Sequence, residues 1–337
     1  SDATNLVADD TNSYADVFVY DMQTNVTARV SIGNNGEEAA NGVTPDKPYV
    51  SSDGRFVAFS SESSNLTSDD DQNNISDVFI RDTLNNQTRL ISKNNLGEVG
   101  NDYSGFPMVS GDGNFVVFES AAQNLLSGYS SGNPNIYLYE VQTSQLSLIS
   151  KNSNDEIGNG FSWQPYISSD SQYIIFKSDS NNFVPFDNNL LSDLFAFNIQ
   201  TSRLWRINVS ADGNQTHNSD IDDYMLSANS NYVVFSSFDD NLVPNDVNSA
   251  NDVFEVDILG ILNNMPNEVL FPMAGLTRIC IGMDSQYANG DCNHSTISTD
   301  GRYIAFESNA SNLIPDDTNG SRDIFLLDTP TDVISRI

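Results

Sequence analysis

The chain has 337 residues, with 46 Asp and Glu against 14 Lys and Arg, giving a formal charge of −32. Such a charge repels a phosphate backbone, which argues against nucleic acid as a partner. The longest apolar run, around 258–262, falls far short of the ~20 residues of a membrane helix, so membrane insertion is not expected. Hydrophobic residues at 38% and aromatic residues at 10% suffice for a core, so the charge does not imply disorder. The sequence starts at Ser1 rather than Met, so the lack of a signal peptide says nothing about compartment.

Internal repeats dominate the chain. The segments VSSDGRFVAFSS, VSGDGNFVVFES, ISSDSQYIIFKS, LSANSNYVVFSS and ISTDGRYIAFES begin at Val50, Val109, Ile167, Leu226 and Ile297. Their spacings are 59, 58, 59 and 71 residues. Each is followed by a second signature, DVFIRD, NIYLYE, DLFAFN, DVFEVD or DIFLLD, and a sixth copy, DVFVYD, begins at Asp16. A third element closes each unit: TARVS, TRLIS, LSLIS, LWRIN, TRICI and VISRI.

One unit reads as four short strands: the residues before Ser51, then 56–60, 77–82 and 88–92. Their β-branched and aromatic runs are separated by Gly, Asn, Asp and Ser clusters. Asp53-Gly54, Asp112-Gly113 and Asp300-Gly301 suit a tight hairpin, and Asp170-Ser171 and Asn229-Ser230 hold the same place less ideally. Four-stranded units at a fixed period predict an all-β chain, a β-propeller of about six blades forming a single domain over 1–337. The blades fall at about 47–92, 106–150, 164–208, 223–281 and 294–337. Residues 1–33 hold only the two outer strands of a further blade. Its two inner strands would come from sequence adjoining either end, from another chain by strand addition, or would be dispensed with in an open ring.

The S-x-D-G-R-[FY]-[VI]-A-F core followed by D-[VI]-F resembles the TolB-type, WD-repeat-related propeller repeat. The resemblance covers nearly the whole chain and implies a propeller in a secreted or periplasmic setting. The Trp and Pro around the TolB turn and its separate α/β domain have no counterpart here, so its partner does not carry over.

Asp, Asn and Asp recur at relative positions 0, +2 and +6 between the second and third strands. They are Asp10, Asn12, Asp16; Asp71, Asn73, Asp77; Asp187, Asn189, Asp193; Asp246, Asn248, Asp252; and Asp317, Asn319, Asp323. Oxygen ligands so closely spaced suit Ca²⁺. Asp69 adds a carboxylate to the second set and makes it the best calcium candidate, the competing reading being Asx-turns that cap the next strand. An Asn recurs in the connectors as Asn41, Asn101, Asn159, Asn218 and Asn289, and its side chain reads as satisfying backbone groups where the chain crosses to the next blade. Cys280 and Cys292, the only cysteines, suggest a disulfide in an oxidising compartment. With two cysteines and two histidines, zinc is not expected.

A catalytic constellation is hard to find. Gly128 to Gly132 matches G-x-S-x-G but lies in an inter-strand loop, and His217 and His294 sit in polar connectors. The unit with the 71-residue spacing carries an apolar insertion near 258–275, with Ile258, Leu259, Ile261, Leu262, Leu270, Phe271 and Met273, which would suit an exposed contact patch or fold back over its blade. The sequence therefore points to a non-enzymatic extracellular, or secondarily periplasmic, module. It would bind a protein partner or copies of itself and be stabilised by calcium. The alternative is a glycan-binding or polysaccharide-lyase propeller.

Overall fold

A computed structural model describes the chain apart from residues 45, 70, 211–212, 214, 218–219, 245 and 260–274. It divides into two compact units, 1–167 and 168–337.

The first unit opens with a two-stranded sheet, β1 (Phe18–Asp21) and β2 (Val26–Arg29). Two complete antiparallel sheets follow. One is β3 (Tyr49–Val50), β4 (Phe56–Ser61), β5 (Asp77–Asp82) and β6 (Gln87–Leu90). The next is β7 (Ser104–Val109), β8 (Phe115–Ser120), β9 (Asn135–Glu140) and β10 (Gln145–Leu148). Strand β11 (Ser162–Ile167) ends the unit and heads the strand order of the following sheet.

That order continues with β12 (Tyr173–Ser178), β13 (Asp193–Asn198) and β14 (Arg203–Arg206). The second unit adds β15 (Ile221–Leu226), β16 (Tyr232–Ser237), β17 (Asp252–Asp257) and β18 (Leu276–Arg278). Its last sheet is β19 (Cys292–Ile297), β20 (Tyr303–Ser308), β21 (Asp323–Asp328) and β22 (Val333–Arg336). Five four-stranded meanders and a two-stranded one are the blades of a β-propeller, as the repeats predict.

Register explains the aromatic positions of the repeats. In each complete blade an aromatic of the second strand sits directly across from one of the third, and the two rings stack 5.4–5.9 Å apart. These pairs are Phe59–Phe79, Phe118–Tyr137, Phe176–Phe195, Phe235–Phe254 and Phe306–Phe325. The turn before the second strand requires a left-handed residue, with φ of 75° at Gly54 and 60° and 63° at Ser171 and Ser230. The fourth strand ends earlier than expected, at Leu90 rather than Ser92. The Ser92 hydroxyl leaves the ladder, accepting from the Val78 N–H at 2.9 Å and donating to Asp77 Oδ1 at 2.6 Å.

In the half blade, Ser1 and Asp16 exchange two backbone hydrogen bonds of 2.8 Å, the rung that Ser61 and Asp77 occupy one blade on. Beyond that rung, β1 has no strand partner but β2 among the described residues. Its aromatic, Phe18, is half-buried, whereas Phe79 is 1% exposed. Of the apolar insertion, Ile258 is buried and Leu259 half-buried, while Ile261, Leu262, Leu270, Phe271 and Met273 lie outside the described residues.

Candidate functional site

The recurring Asp–Asn–Asp loops are built alike. In each, the Asn carbonyl oxygen accepts from the N–H two residues on: Tyr14 to Asn12 at 3.0 Å, Ile75 to Asn73 at 2.8 Å, Leu191 to Asn189, Ala250 to Asn248, and Ser321 to Asn319 at 2.8 Å. Each is an Asx-turn. The Asn amide nitrogen meanwhile donates to the second Asp in four of the loops, at 3.1 Å from Asn12 to Asp16 and 2.8 Å from Asn319 to Asp323. In the four earlier loops it also reaches a connector carbonyl, as from Asn73 to Gly100 at 3.0 Å. The Asn of the four earlier loops is thus committed to the backbone with both ends of its amide.

What faces the two carboxylates is an arginine from the fourth strand, and in the half blade Arg29 also meets Glu38 at 2.6 Å. Arg29 Nη1 lies 3.4 Å from both Asp10 and Asp16. Arg206 lies 3.3 Å from Asp187 and 3.1 Å from Asp193, and Arg278 lies 3.4 Å from Asp246 and 3.2 Å from Asp252. Arg336 lies 3.2 Å from Asp317 and from Asp323. The first three guanidinium groups are almost wholly buried, so each is a cation built into its blade. The reading of the sequence missed them. The signal was present thirteen residues after the second Asp in three of these units, but the arginine lies on another strand and meets the loop only across the ladder.

The two remaining blades carry leucine there, Leu90 and Leu148. In the third blade the loop has also lost its acids: Asn135 replaces the second Asp and takes the Ser150 hydroxyl at 2.9 Å. The second blade keeps both. Asp77 is fully buried, accepting 2.6 Å from Ser92 and 3.4 Å from Asn73. Asp71 is 3% exposed; among the described residues its Oδ1 receives only the Asn73 N–H at 3.5 Å, and its buried Oδ2 has no hydrogen-bond partner. Asp69 stands at the rim, where Lys93 Nζ reaches its Oδ1 at 2.7 Å. Burial, reinforced by the Asp71 charge, pushes the Asp77 carboxyl up to about 7, and burial with Asp69 nearby also raises Asp71. Burial also raises Asp187 and Asp252 beside their arginines, so titration alone does not separate the loops. Nor does an orphaned oxygen, since Asp10 Oδ1 and Asp252 Oδ1 are buried without a hydrogen-bond partner as well; the difference is the arginine. A shallow cleft of about 570 Å³, lined by Gln72, Asn73, Glu98 and Gly100 among others, opens beside the second loop.

A second polar layer, also not foreseen, occupies the first strands. Phe106, Gln164 and His294 share a left-handed φ of 48–52°, and register shifts interrupt the pairing of β7 and β19 there. A carboxylate caps a nearby freed amide: Asp46 takes the Phe106 N–H at 3.2 Å, Glu119 the Gln164 N–H at 2.8 Å, and Asp223 the Ser295 N–H at 3.1 Å. Burial pushes Glu119 up to about 7.

The other candidates are placed as follows. Cys280 and Cys292 are disulfide-bonded, with Cα atoms 6.4 Å apart. Asn41 donates to the Glu62 carbonyl at 3.0 Å, and Asn101 and Asn289 accept from Gln123 and Ser311 at 2.8 Å, so these connectors are held as expected; Asn218 lies outside the described residues. Ser130, within G-x-S-x-G, donates to Gln123. His217 lies 3.3 Å from Asp239 and 3.4 Å from Asp240, half exposed, and His294 lies 3.4 Å from Glu307 on the surface.

No family model matches the chain, and no curated protein does. Among solved structures, a prolyl endopeptidase matches with TM-score 0.51 and 10% identity over 97% of this chain and 39% of that one. TolB from Agrobacterium tumefaciens matches with TM-score 0.44 and 12% identity over 94% and 86%. TolB from Acinetobacter baumannii matches with TM-score 0.39 and 15% identity over 77% and 48%, so the chain spans about half of that protein. At these identities the likeness is one of fold, a β-propeller.

Proposed function

We infer that this propeller is a non-enzymatic binding or structural module that receives β-strands from a protein partner or a second copy of itself. The open edge of β1 carries the reading: it offers backbone donors and acceptors beyond the Ser1–Asp16 rung, beside an aromatic that lacks a stacking partner. Ile324 is 41% exposed, where its counterpart Val78 is covered completely by the following blade. The occupant that fits is a β-hairpin of the repeat's own pattern, bringing an aromatic opposite Phe18. The disulfide supports an exported protein.

A synthetic peptide with the sequence of residues 47–61 tests this. It is expected to bind and to slow amide exchange at 18–21, and replacing its second-strand aromatic Phe59 with Ser is expected to weaken binding. Absence of binding, with the β1 amides already protected in protein purified from its source, would show the edge filled from the same polypeptide and overturn the reading.

A further inference from the structure

We propose that the second blade carries a seat for an aromatic side chain of the incoming element, formed by Val50, Gly54 and the Ser52 carbonyl, so that the element received is a two-stranded hairpin and not a single strand. The inference rests on the strand-addition reading and adds which side chains the partner must bring. It comes from what the same positions meet where the preceding blade is complete. Within the first unit, the second blade covers the third with its inner hairpin. Val109, the counterpart of Val50, is 3% exposed in a core against which Tyr49 and Phe56 pack. Gly113, the counterpart of Gly54, is buried so close to the Phe56 ring that an added Cβ would lie 2.6 Å from it. The Gly111 carbonyl accepts from the Ser52 N–H at 2.8 Å, turn to turn. Within the second unit, the fifth blade covers the sixth in the same way. Ile297 is buried in a core against which Met225 and Tyr232 pack, and an added Cβ on Gly301 would meet the Tyr232 ring. The Thr299 carbonyl accepts from the Asn229 N–H at 3.1 Å.

The half blade sets only two outer strands before the second blade. Val17 and Val19 fill the outer part of that interface, in one core with Val57 and Phe59. The inner part is bare. Val50 is 52% exposed, Ser52 is exposed, and Gly54 is exposed with nothing among the described residues within 4 Å of where a Cβ would stand. The patch is thus continuous with a formed interface, and an incoming ring would remove its apolar surface from water. Register then fixes the partner's pattern. Ser1 stands at the rung that Ser61 holds one blade on, so the incoming strand places the counterparts of Phe56, Ala58 and Phe59 before that rung. Successive side chains point to opposite faces of a strand. The first aromatic and the small residue therefore turn toward the second blade, the ring over Gly54 and Val50, and the last aromatic takes the place opposite Phe18. The sequence demanded is aromatic-x-small-aromatic, behind a turn whose N–H meets the Ser52 carbonyl.

The test uses the 337-residue chain and a peptide of residues 47–60, which stops one residue short of the Ser1 rung, with binding read by calorimetry. Phe56→Ala in the peptide is expected to weaken binding by about tenfold or more, the loss of a seated ring. Gly54→Asn in the chain puts a residue that tolerates positive φ where the ring would lie, and it meets nothing in the free protein, so Tm is expected to stay near that of the wild type. It should weaken the parent peptide by a similar factor and the Phe56→Ala peptide little further, so the two losses do not add. Val50→Ser, at a side chain exposed in the free chain, repeats the comparison without touching the turn. Undiminished binding of the Phe56→Ala peptide, or losses that add, while Phe59→Ser still abolishes binding, would overturn the seat and leave strand addition standing. No binding by any of the peptides would remove the strand-addition reading and this inference with it.

Discussion

The loops of the second and fourth blades share Asp, Asn and Asp at the same spacing, the same Asx-turn, and the same hydrogen bond to the first oxygen of the second Asp, from Ser92 in one and Asn208 in the other. They differ in one cross-strand residue. Arg206 touches Asp187 and Asp193 in the fourth blade, and Leu90 fills the equivalent place in the second. Identical acidic motifs thus differ in their surroundings: one meets a buried guanidinium, and the other meets no arginine among the described residues. A motif of ligand-type residues therefore means little until its counter-charge has been located.

Arg206→Leu removes that difference and is expected to have the largest effect. Leaving two buried carboxylates uncompensated should cost about 3–5 kcal/mol, measured by denaturant unfolding. Full stability in the variant would show that the guanidinium does not compensate the pair. The half blade offers a parallel contrast. Phe79→Ala, deleting one ring of a fully buried stack, should also cost about 3–5 kcal/mol, whereas Phe18→Ala should cost no more than ~1–2 kcal/mol in the isolated chain. Equal costs would mean that Phe18 already has its partner.

The contrast between compensated and uncompensated carboxylates extends to Glu119, which has an amide partner but no cation. Its carboxyl is raised from 4.5 to about 7, so the folded state holds a proton that the unfolded state has released. Stability should therefore fall as pH rises from about 4.5 to 7 and level off above, by up to ~3 kcal/mol. The slope is read as the difference between wild type and Glu119→Gln. A pH-independent difference would mean that the carboxyl is already ionised in the fold. A comparable effect is expected from the disulfide. Cys280→Ser with Cys292→Ser should lower stability by about 2–3 kcal/mol, and an unchanged unfolding midpoint would show that the bridge adds nothing to the fold.

Much of the architecture was legible in the sequence because it is local and repeated. The strand Asp77–Asp82 has the bounds read from its β-branched and aromatic run, and the Asp-Gly pairs mark turns that need positive φ. The end of β6 was misplaced by two residues, since nothing near Ser92 reveals that its hydroxyl turns back to Asp77. The left-handed residues Phe106, Gln164 and His294 had no signal, because their residue types share nothing. Of the two readings of the Asp–Asn–Asp loops, the Asx-turn at Asn73 is present, because it is made within the loop, whereas the carbonyl its amide meets, that of Gly100, lies 27 residues away and has no local signal.

The sequence by itself determined the period, the number of strands per repeat and the missing half blade, because hydrophobic alternation and turn chemistry act over a few residues. Which carboxylates own a counter-ion was decided by the tertiary structure. That outcome depends on a register bringing position 90 or 206 beside the blade's acidic loop, and on burial that removes the water which would otherwise screen the charge.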